Sequence, residues 1–296
     1  MRTRPLRVLA ALAAASAIAF AATGCGGDGT SASPAASDTT AASSPEDLKS
    51  FVTDIGAELN DFWSTNIGDG ITYVKATVKV PETGAKTACG LISADSTGPA
   101  YCDQDMTVVL PLAFLRGQFV GGDNNGANDA AVAAVVAHEF GHHVQNLVGV
   151  SAEAGKQSAD NPEIANLISV ADELHADCMM GLWLSSVNDE GRLEVGDIDE
   201  VLTTLSKIGD DKLTADAGQA ADASTFDHGT SKERAKWFEV GYTSGDPAKC
   251  ATVYDDLGDG TLSAELQAGA DAVNGATDTT GATDTMDTTD TTGTAG

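Results

Sequence analysis

The chain has 296 residues, with 44 Asp plus Glu against 16 Lys plus Arg and a formal net charge of −28. This excludes a nucleic-acid binder and a protein drawn to anionic lipid headgroups, since both need clustered positive charge. Hydrophobic residues make up 42% of the chain, enough for one domain of roughly 200 residues with a sizeable core.

Arg2, Arg4 and Arg7 precede an apolar run from Val8 to Ala22. A basic start followed by a short apolar stretch reads as an export signal over residues 1–24. Ala22-Thr23-Gly24-Cys25 resembles a bacterial lipoprotein box, with Cys25 as the lipidated first residue and the lipid as the link to the membrane. Ala22 stands where such boxes usually carry Leu. A plain secretory signal and an uncleaved anchor are the alternatives, and the run is short and Ala-rich for an anchor. The chain is therefore expected to work outside the cell membrane, tethered or secreted. Residues 25–44 are rich in Gly, Ser, Ala, Thr and Asp and read as a flexible tether.

Residues 45–275 are expected to form the folded domain. Pro45 to Asn66 reads as a helix with Leu48, Phe51, Ile55, Leu59 and Phe62 as its buried stripe. Ile71–Val80 and Thr107–Leu115 read as strands. With Cys25 set aside, Cys89, Cys102, Cys178 and Cys250 remain, an even set that points to disulfides in an exported protein. Three pairings are open. The favoured one joins Cys89 to Cys102 across a short loop and Cys178 to Cys250. No C-x-x-C spacing supports zinc binding by cysteine.

The segment from Asn128 to Gly149 carries the chemistry. Asn128 reads as an N-cap and Gly149 as the helix stop, with Val132, Val136, Phe140 and Leu147 as the apolar stripe. His138-Glu139-Phe140-Gly141-His142 puts two imidazoles about 40° apart on one helix face, with a carboxylate beside the first. This is the H-E-x-x-H arrangement, in which the histidines hold zinc and the glutamate handles the proton of water. Ala131 and Val135 lie below the histidines, and Gly141 leaves room for another backbone.

A catalytic zinc usually takes a third protein ligand. A second helix, with Asn161 as N-cap and Pro162 at its first position, carries Glu173 and Asp177 one turn apart. Glu173 reads as the ligand. Asp177 reads as acceptor for the outer N–H of a ligating histidine. His175 is about 160° from Glu173 around the helix, so the two cannot both face the metal. The bland reading of Glu173 and Asp177 is a solvated helix face. Further on, Ile198, Val201, Leu202, Leu205 and Ile208 form an amphipathic helix ending near Gly209. Thr230-x-x-Glu233 reads as a capping box just after His228. Trp183, Trp237 and Phe238 read as core. Residues 276–296 are a Thr/Asp/Gly run expected to be disordered. A small sheet followed by helices is an α+β layout.

Four ordered blocks between about residues 85 and 254 resemble the neutral zinc metallopeptidase family of bacteria. They are Ala88-Cys89-Gly90 through Gly98-Pro99-Ala100-Tyr101-Cys102; His138 through Gln145; Glu173-Leu174-His175-Ala176-Asp177-Cys178; and His228-Gly229-Thr230-Ser231 with Arg234, Trp237, Phe238 and Gly245 to Cys250. The chain departs from the family in having His175 where Gln is common, and in lacking a Tyr and an Asp within Thr107–Leu112. The resemblance implies a zincin-like domain with Zn2+ as cofactor and a peptide or protein as substrate. It also implies a strand beside the active-site helix, for which Thr107–Leu112 is the candidate and whose edge can pair with an extended peptide.

On this reading His138, His142 and Glu173 hold the metal, Glu139 is the general base, and Asp177 orients a ligand. His228 is the candidate for stabilising the oxyanion, against a plain structural role. His143 points away from the metal and is expected to pack. The competing functions are a zinc-stabilised binding protein of the envelope without turnover, and a zinc amidase acting on a cell-wall amide. Retention of Glu139 favours the endopeptidase, because holding zinc alone does not require it. The oligomeric state stays open.

Overall fold

The computed structural model describes residues 45–119 and 128–280. The export signal, Cys25, the tether and residues 281–296 lie outside the described residues.

Pro45–Asn66 forms helix α1. Its buried side chains are Leu48, Val52, Ile55, Leu59 and Trp63, at the three-and-four spacing of a core-facing stripe. Phe51 and Phe62, expected in that stripe, are only partly buried. They flank it, while Val52 and Trp63 point to its centre.

Five short strands follow: β1 Thr77–Lys79, β2 Gly84–Thr87, β3 Gly90–Ser93, β4 Ala100–Cys102 and β5 Thr107–Val109. β2 and β3 pair as an antiparallel hairpin, and the other three form a sheet in the order β1-β5-β4. β1 runs parallel to β5, and β4 antiparallel to it. The Cys89–Cys102 disulfide ties the hairpin turn to β4.

Three strand expectations are corrected. β5 is the central strand, paired on both sides and buried at every residue, so it has no edge to offer a peptide. The edge strands are β1 and β4, and of the two it is β4 that lines the cleft described below. Nor does the strand reach Leu115. Pro111 has no N–H for a ladder, and its carbonyl instead accepts from the amides of Phe114 and Leu115. That opens helix α2, Leu112–Phe119. The first predicted strand likewise shrinks from Ile71–Val80 to β1.

The described residues after α2 are mostly helical: α3 Asp129–Val148, α4 Val150–Asp160, a 3-10 turn Pro162–Ile164, α5 Ala165–Asp189, α6 Asp197–Ile208, α7 Asp210–Asp216, a second 3-10 turn Ala223–Thr225, α8 Ser231–Ser244, α9 Pro247–Cys250, α10 Val253–Asp259 and α11 Thr261–Thr280. The architecture is α+β, with small sheets beside a mostly helical body. α3 stops at Gly149, whose φ of 86° suits a residue without a Cβ. Asn128 caps α3 without a side-chain bond. Pro162 opens the 3-10 turn rather than α5 itself. α11 carries the fold five residues into the stretch expected as a tail. Among the described residues, no helix is long and apolar enough to cross a membrane.

Trp183, Trp237 and Phe238 are buried, as expected for core. α5 and α8 pack backbone to backbone. A Cβ on Gly241 would lie 1.9 Å from the Cys178 carbonyl oxygen, and one on Gly181 2.2 Å from that of Phe238. Gly241→Ala must push the helices apart and is expected to cost about 1–3 kcal/mol in urea unfolding. A variant as stable as the wild type would refute that close contact. Gly141 serves the same purpose between α3 and α5, where an added Cβ would meet Ala176 Cα at 2.9 Å. The Cys178–Cys250 disulfide then fastens α5 to α9.

The capping box of α8 forms by half. Thr230 Oγ1 accepts from the Glu233 amide at 3.3 Å, but the Glu233 carboxyl is buried with Oε2 unpartnered among the described residues. Burial, then the charge of Glu265, raises its pKa to about 7. A raised carboxyl favours the protonated fold. Its contribution is complete below the ordinary value near 4.5 and is lost as pH rises through about 7. Glu233→Gln is therefore expected to match the wild type at pH 4 and to exceed it at pH 8 by roughly 1–3 kcal/mol. Parallel stability curves across that range would contradict this.

Candidate metal centre

The contact between α3 and α5 brings the predicted ligands together. His138 and His142 stand one turn apart on α3, and Glu173 faces them from α5. His138 Nε2 lies 3.1 Å from Glu173 Oε2 and 3.2 Å from His142 Nε2. His142 Nε2 lies 3.3 Å from Glu173 Oε1. Ligands about 2.0–2.1 Å from a tetrahedral zinc are separated by about 3.3–3.4 Å. The donor edges of 3.1, 3.2 and 3.3 Å are close to that, the two from Glu173 starting at its two different oxygens, and the set of two imidazole nitrogens and one carboxylate suits zinc. The residues present fit the ion.

The protons around His138 agree. Its Nδ1 donates to Asp177 Oδ1 at 2.8 Å, because an ionised carboxylate only accepts. That leaves the Nε2 lone pair facing the triangle. Asp177 is completely buried. Burial opposes its charge, but Arg234 and then His138 outweigh it and lower its pKa. Arg234, from α8, donates Nε to Asp177 Oδ2 at 2.8 Å and Nη2 to Oδ1 at 3.0 Å. Burial also works against a charge on His138, and the carboxylates of Asp177 and Glu173 overcome it, raising its pKa to about 10. The field that would hold a proton there is the field that attracts a cation.

On the other side, Gln145 Oε1 lies 2.8 Å from His142 Nδ1. His175 does not reach the triangle. It is buried behind it, where burial and then His142 lower its pKa to about 3. Tyr254 donates to Asp172 Oδ1 at 2.8 Å, and burial lifts that carboxyl to about 6.

The triangle opens into a cleft of about 800 Å³. Glu139 lines it beside His138, is 7% exposed, and is outside the donor triangle. Burial raises its pKa, against the pull of His138 and His142. One wall is apolar, with Phe119, Ala134, Met180, Val201 and Leu205. β4 also lines the cleft, through Ala100 and Tyr101.

His228 also lines the cleft, with its side chain 53% exposed. Its loop is anchored by Asp210, whose Oδ2 accepts from the amides of Asp227, His228 and Gly229 at 2.8, 2.7 and 2.9 Å. Asp210 Oδ1 lies 3.4 Å from His228 Nδ1. That contact raises the pKa of His228.

His143 packs, as expected from its direction. Its Nε2 donates to the Val74 carbonyl at 2.7 Å, so Nδ1 accepts from the Tyr101 hydroxyl at 3.0 Å. Asn146 donates to the same hydroxyl at 2.8 Å. Tyr101 therefore has no proton left for a substrate. It joins β4 to α3 and sets the rim. In the sequence, Gln145, Tyr101 and Arg234 stand out only as parts of motifs, and Asp210 not at all. Gln145 stands one turn after His142, a local spacing that could have marked it, but its other partners and those of Tyr101, Arg234 and Asp210 are distant in sequence.

Helix-borne H-E-x-x-H donors completed by a carboxylate from a second helix are of the kind found in zinc-dependent hydrolases. The chain belongs to the family described as "Putative neutral zinc metallopeptidase", whose profile matches residues 7–253. It is similar to uncharacterized protein YpfJ of Escherichia coli strain K12, 37% identical over 211 residues, or 70% of this chain and 72% of the relative. It is also similar to uncharacterized protein Rv2575 of Mycobacterium tuberculosis strain H37Rv, 36% identical over 178 residues, or 56% of this chain and 58% of the relative. No solved structure matches the chain. The expected family is thus shown, and with it zinc as the implied cofactor.

Proposed function

We propose that this chain is a zinc-dependent endopeptidase of the bacterial cell envelope. The observation that carries the reading is the convergence of His138 Nε2, His142 Nε2 and the Glu173 carboxylate within 4.8 Å of one another, with Glu139 in the same cleft. When bound, zinc supplies Lewis acidity that acidifies water and polarises a carbonyl. Glu139 takes the proton of the attacking water and passes it to the leaving amine. His228 donates to the developing oxyanion, on a loop that Asp210 holds in place. The free edge of β4 pairs with the extended substrate, and the apolar wall receives one of its side chains. The basic and apolar N-terminal residues, with Cys25, support an enzyme held at the outer face of the membrane.

The test is zinc-dependent cleavage of a mixed peptide library by the full-length protein, with a chelator as control. Cleavage that the chelator abolishes and zinc restores supports the endopeptidase. Stoichiometric zinc without cleavage rejects it in favour of a binding protein or an amidase for another amide.

A further inference from the structure

We propose that Gln145 and His175 act as a pair of positioning residues that set the tautomer and orientation of His142. This rests on the reading of His138, His142 and Glu173 as a metal site.

The backbone carbonyl of Asp172 fixes which way the Gln145 amide lies. The amide nitrogen donates to it at 2.6 Å. A carbonyl only accepts, so the NH2 end of the side chain must face it. Oε1 then faces His142 Nδ1, 2.8 Å away. Oε1 also only accepts, so the His142 proton sits on Nδ1. Its Nε2 lone pair is left bare, pointing at His138 Nε2 and Glu173. That is the tautomer a metal ligand needs.

His175 holds the amide in this orientation. Its Nδ1 lies 3.1 Å from the Gln145 nitrogen and accepts the second N–H. Both amide protons are then committed. A flipped amide would set its oxygen against the Asp172 carbonyl oxygen, where neither can donate. It would also drive the His142 proton to Nε2, where the metal belongs. Gln145 is 1% exposed and His175 1%, so water offers neither group an alternative partner.

The acceptor and ligand positions on α5 fall within four consecutive residues: the carbonyl of Asp172, the carboxylate of Glu173 and the ring of His175. One turn of α5 thus supplies a ligand to the front of the site and the lock on another ligand from behind. The two histidines are held differently. His138 leans on a carboxylate neutralised by Arg234, and His142 on a neutral amide. A second buried carboxylate behind His142 would stand with Glu139, Asp172 and Glu173 without a cation of its own.

The experiment uses the full-length protein. Zinc affinity is measured by chelator competition, and the His142 Nδ1–H resonance by 15N-edited NMR of the zinc-loaded protein. The variants are Gln145→Leu, His175→Leu, the double variant, and His175→Asn, which keeps an acceptor oxygen near the place of Nδ1. Gln145→Leu and His175→Leu are expected to weaken zinc binding by about 10–100-fold and to lose the slowly exchanging Nδ1–H signal. The double variant should be no weaker than Gln145→Leu, since His175 acts through Gln145. His175→Asn should recover affinity and signal. Unchanged affinity in Gln145→Leu, additive losses in the double variant, or no Nδ1–H on His142 in the wild type would each overturn the proposal. If Gln145→Leu does not fold, the wild-type resonance and the two His175 variants decide. A wild type that binds no zinc instead removes the metal-site reading on which the proposal stands.

Discussion

Glu139→Gln is expected to lower peptide turnover by about 10²–10⁴-fold with zinc affinity unchanged. Glu139 precedes Phe140 on the buried face of α3 and lines the cleft, and the donor triangle is complete without it. Gln has the same shape and fills the same space, so packing and the metal are left alone. What it lacks is the ability to take a proton from water and deliver it to the leaving amine. Single-turnover cleavage, with zinc counted per chain in the same samples, separates the possibilities. Full turnover in Glu139→Gln would remove it as the base. Loss of zinc along with activity would make it part of the metal site instead.

Arg234→Met is expected to cost about 3–5 kcal/mol of stability with the metal chelated. Asp177 has no exposure to water, and Arg234 meets it with two hydrogen bonds, at 2.8 and 3.0 Å. Met fills much of the volume but leaves a carboxylate buried beside His138 alone. Removing both charges, as Asp177→Asn with Arg234→Met, should cost less than the single change, because no uncompensated charge remains. Urea unfolding of the wild type, both single variants and the double variant measures the coupling. Additive losses would mean that the ion pair carries no special energy. Chelation keeps metal binding out of the comparison, so the number reports the pair and not the ion.

Much of the site's local geometry was legible because helical periodicity is a local property. Four residues are just over one turn, so His138 and His142 had to share a face, as had Glu173 and Asp177. The same rule turned His175 away from the metal, and the structure has it behind the triangle. Gly149 as a stop and Gly141 as a point of close approach followed from the missing Cβ. The family resemblance, carried by blocks spread from Cys89 to Cys250, is borne out by the family match over residues 7–253.

Sheet order was different. The β-branched residues of Thr107–Val109 mark a strand, but nothing in them tells a central strand from an edge, since that depends on which other strands pair with it. The partners of the site residues were equally hidden. Arg234 lies 57 residues after Asp177, and Gln145 finds Asp172 and His175 only once α3 and α5 have docked. By itself, the sequence determined which residues are the candidates for metal and proton chemistry and which face of each helix they occupy, because the helical repeat acts over a few residues. Tertiary structure alone decided which strand edge borders the cleft, which buried charge neutralises which, and how each imidazole is turned. Those depend on backbones brought within contact distance by helix packing, and on buried polar groups that must find partners where water cannot reach.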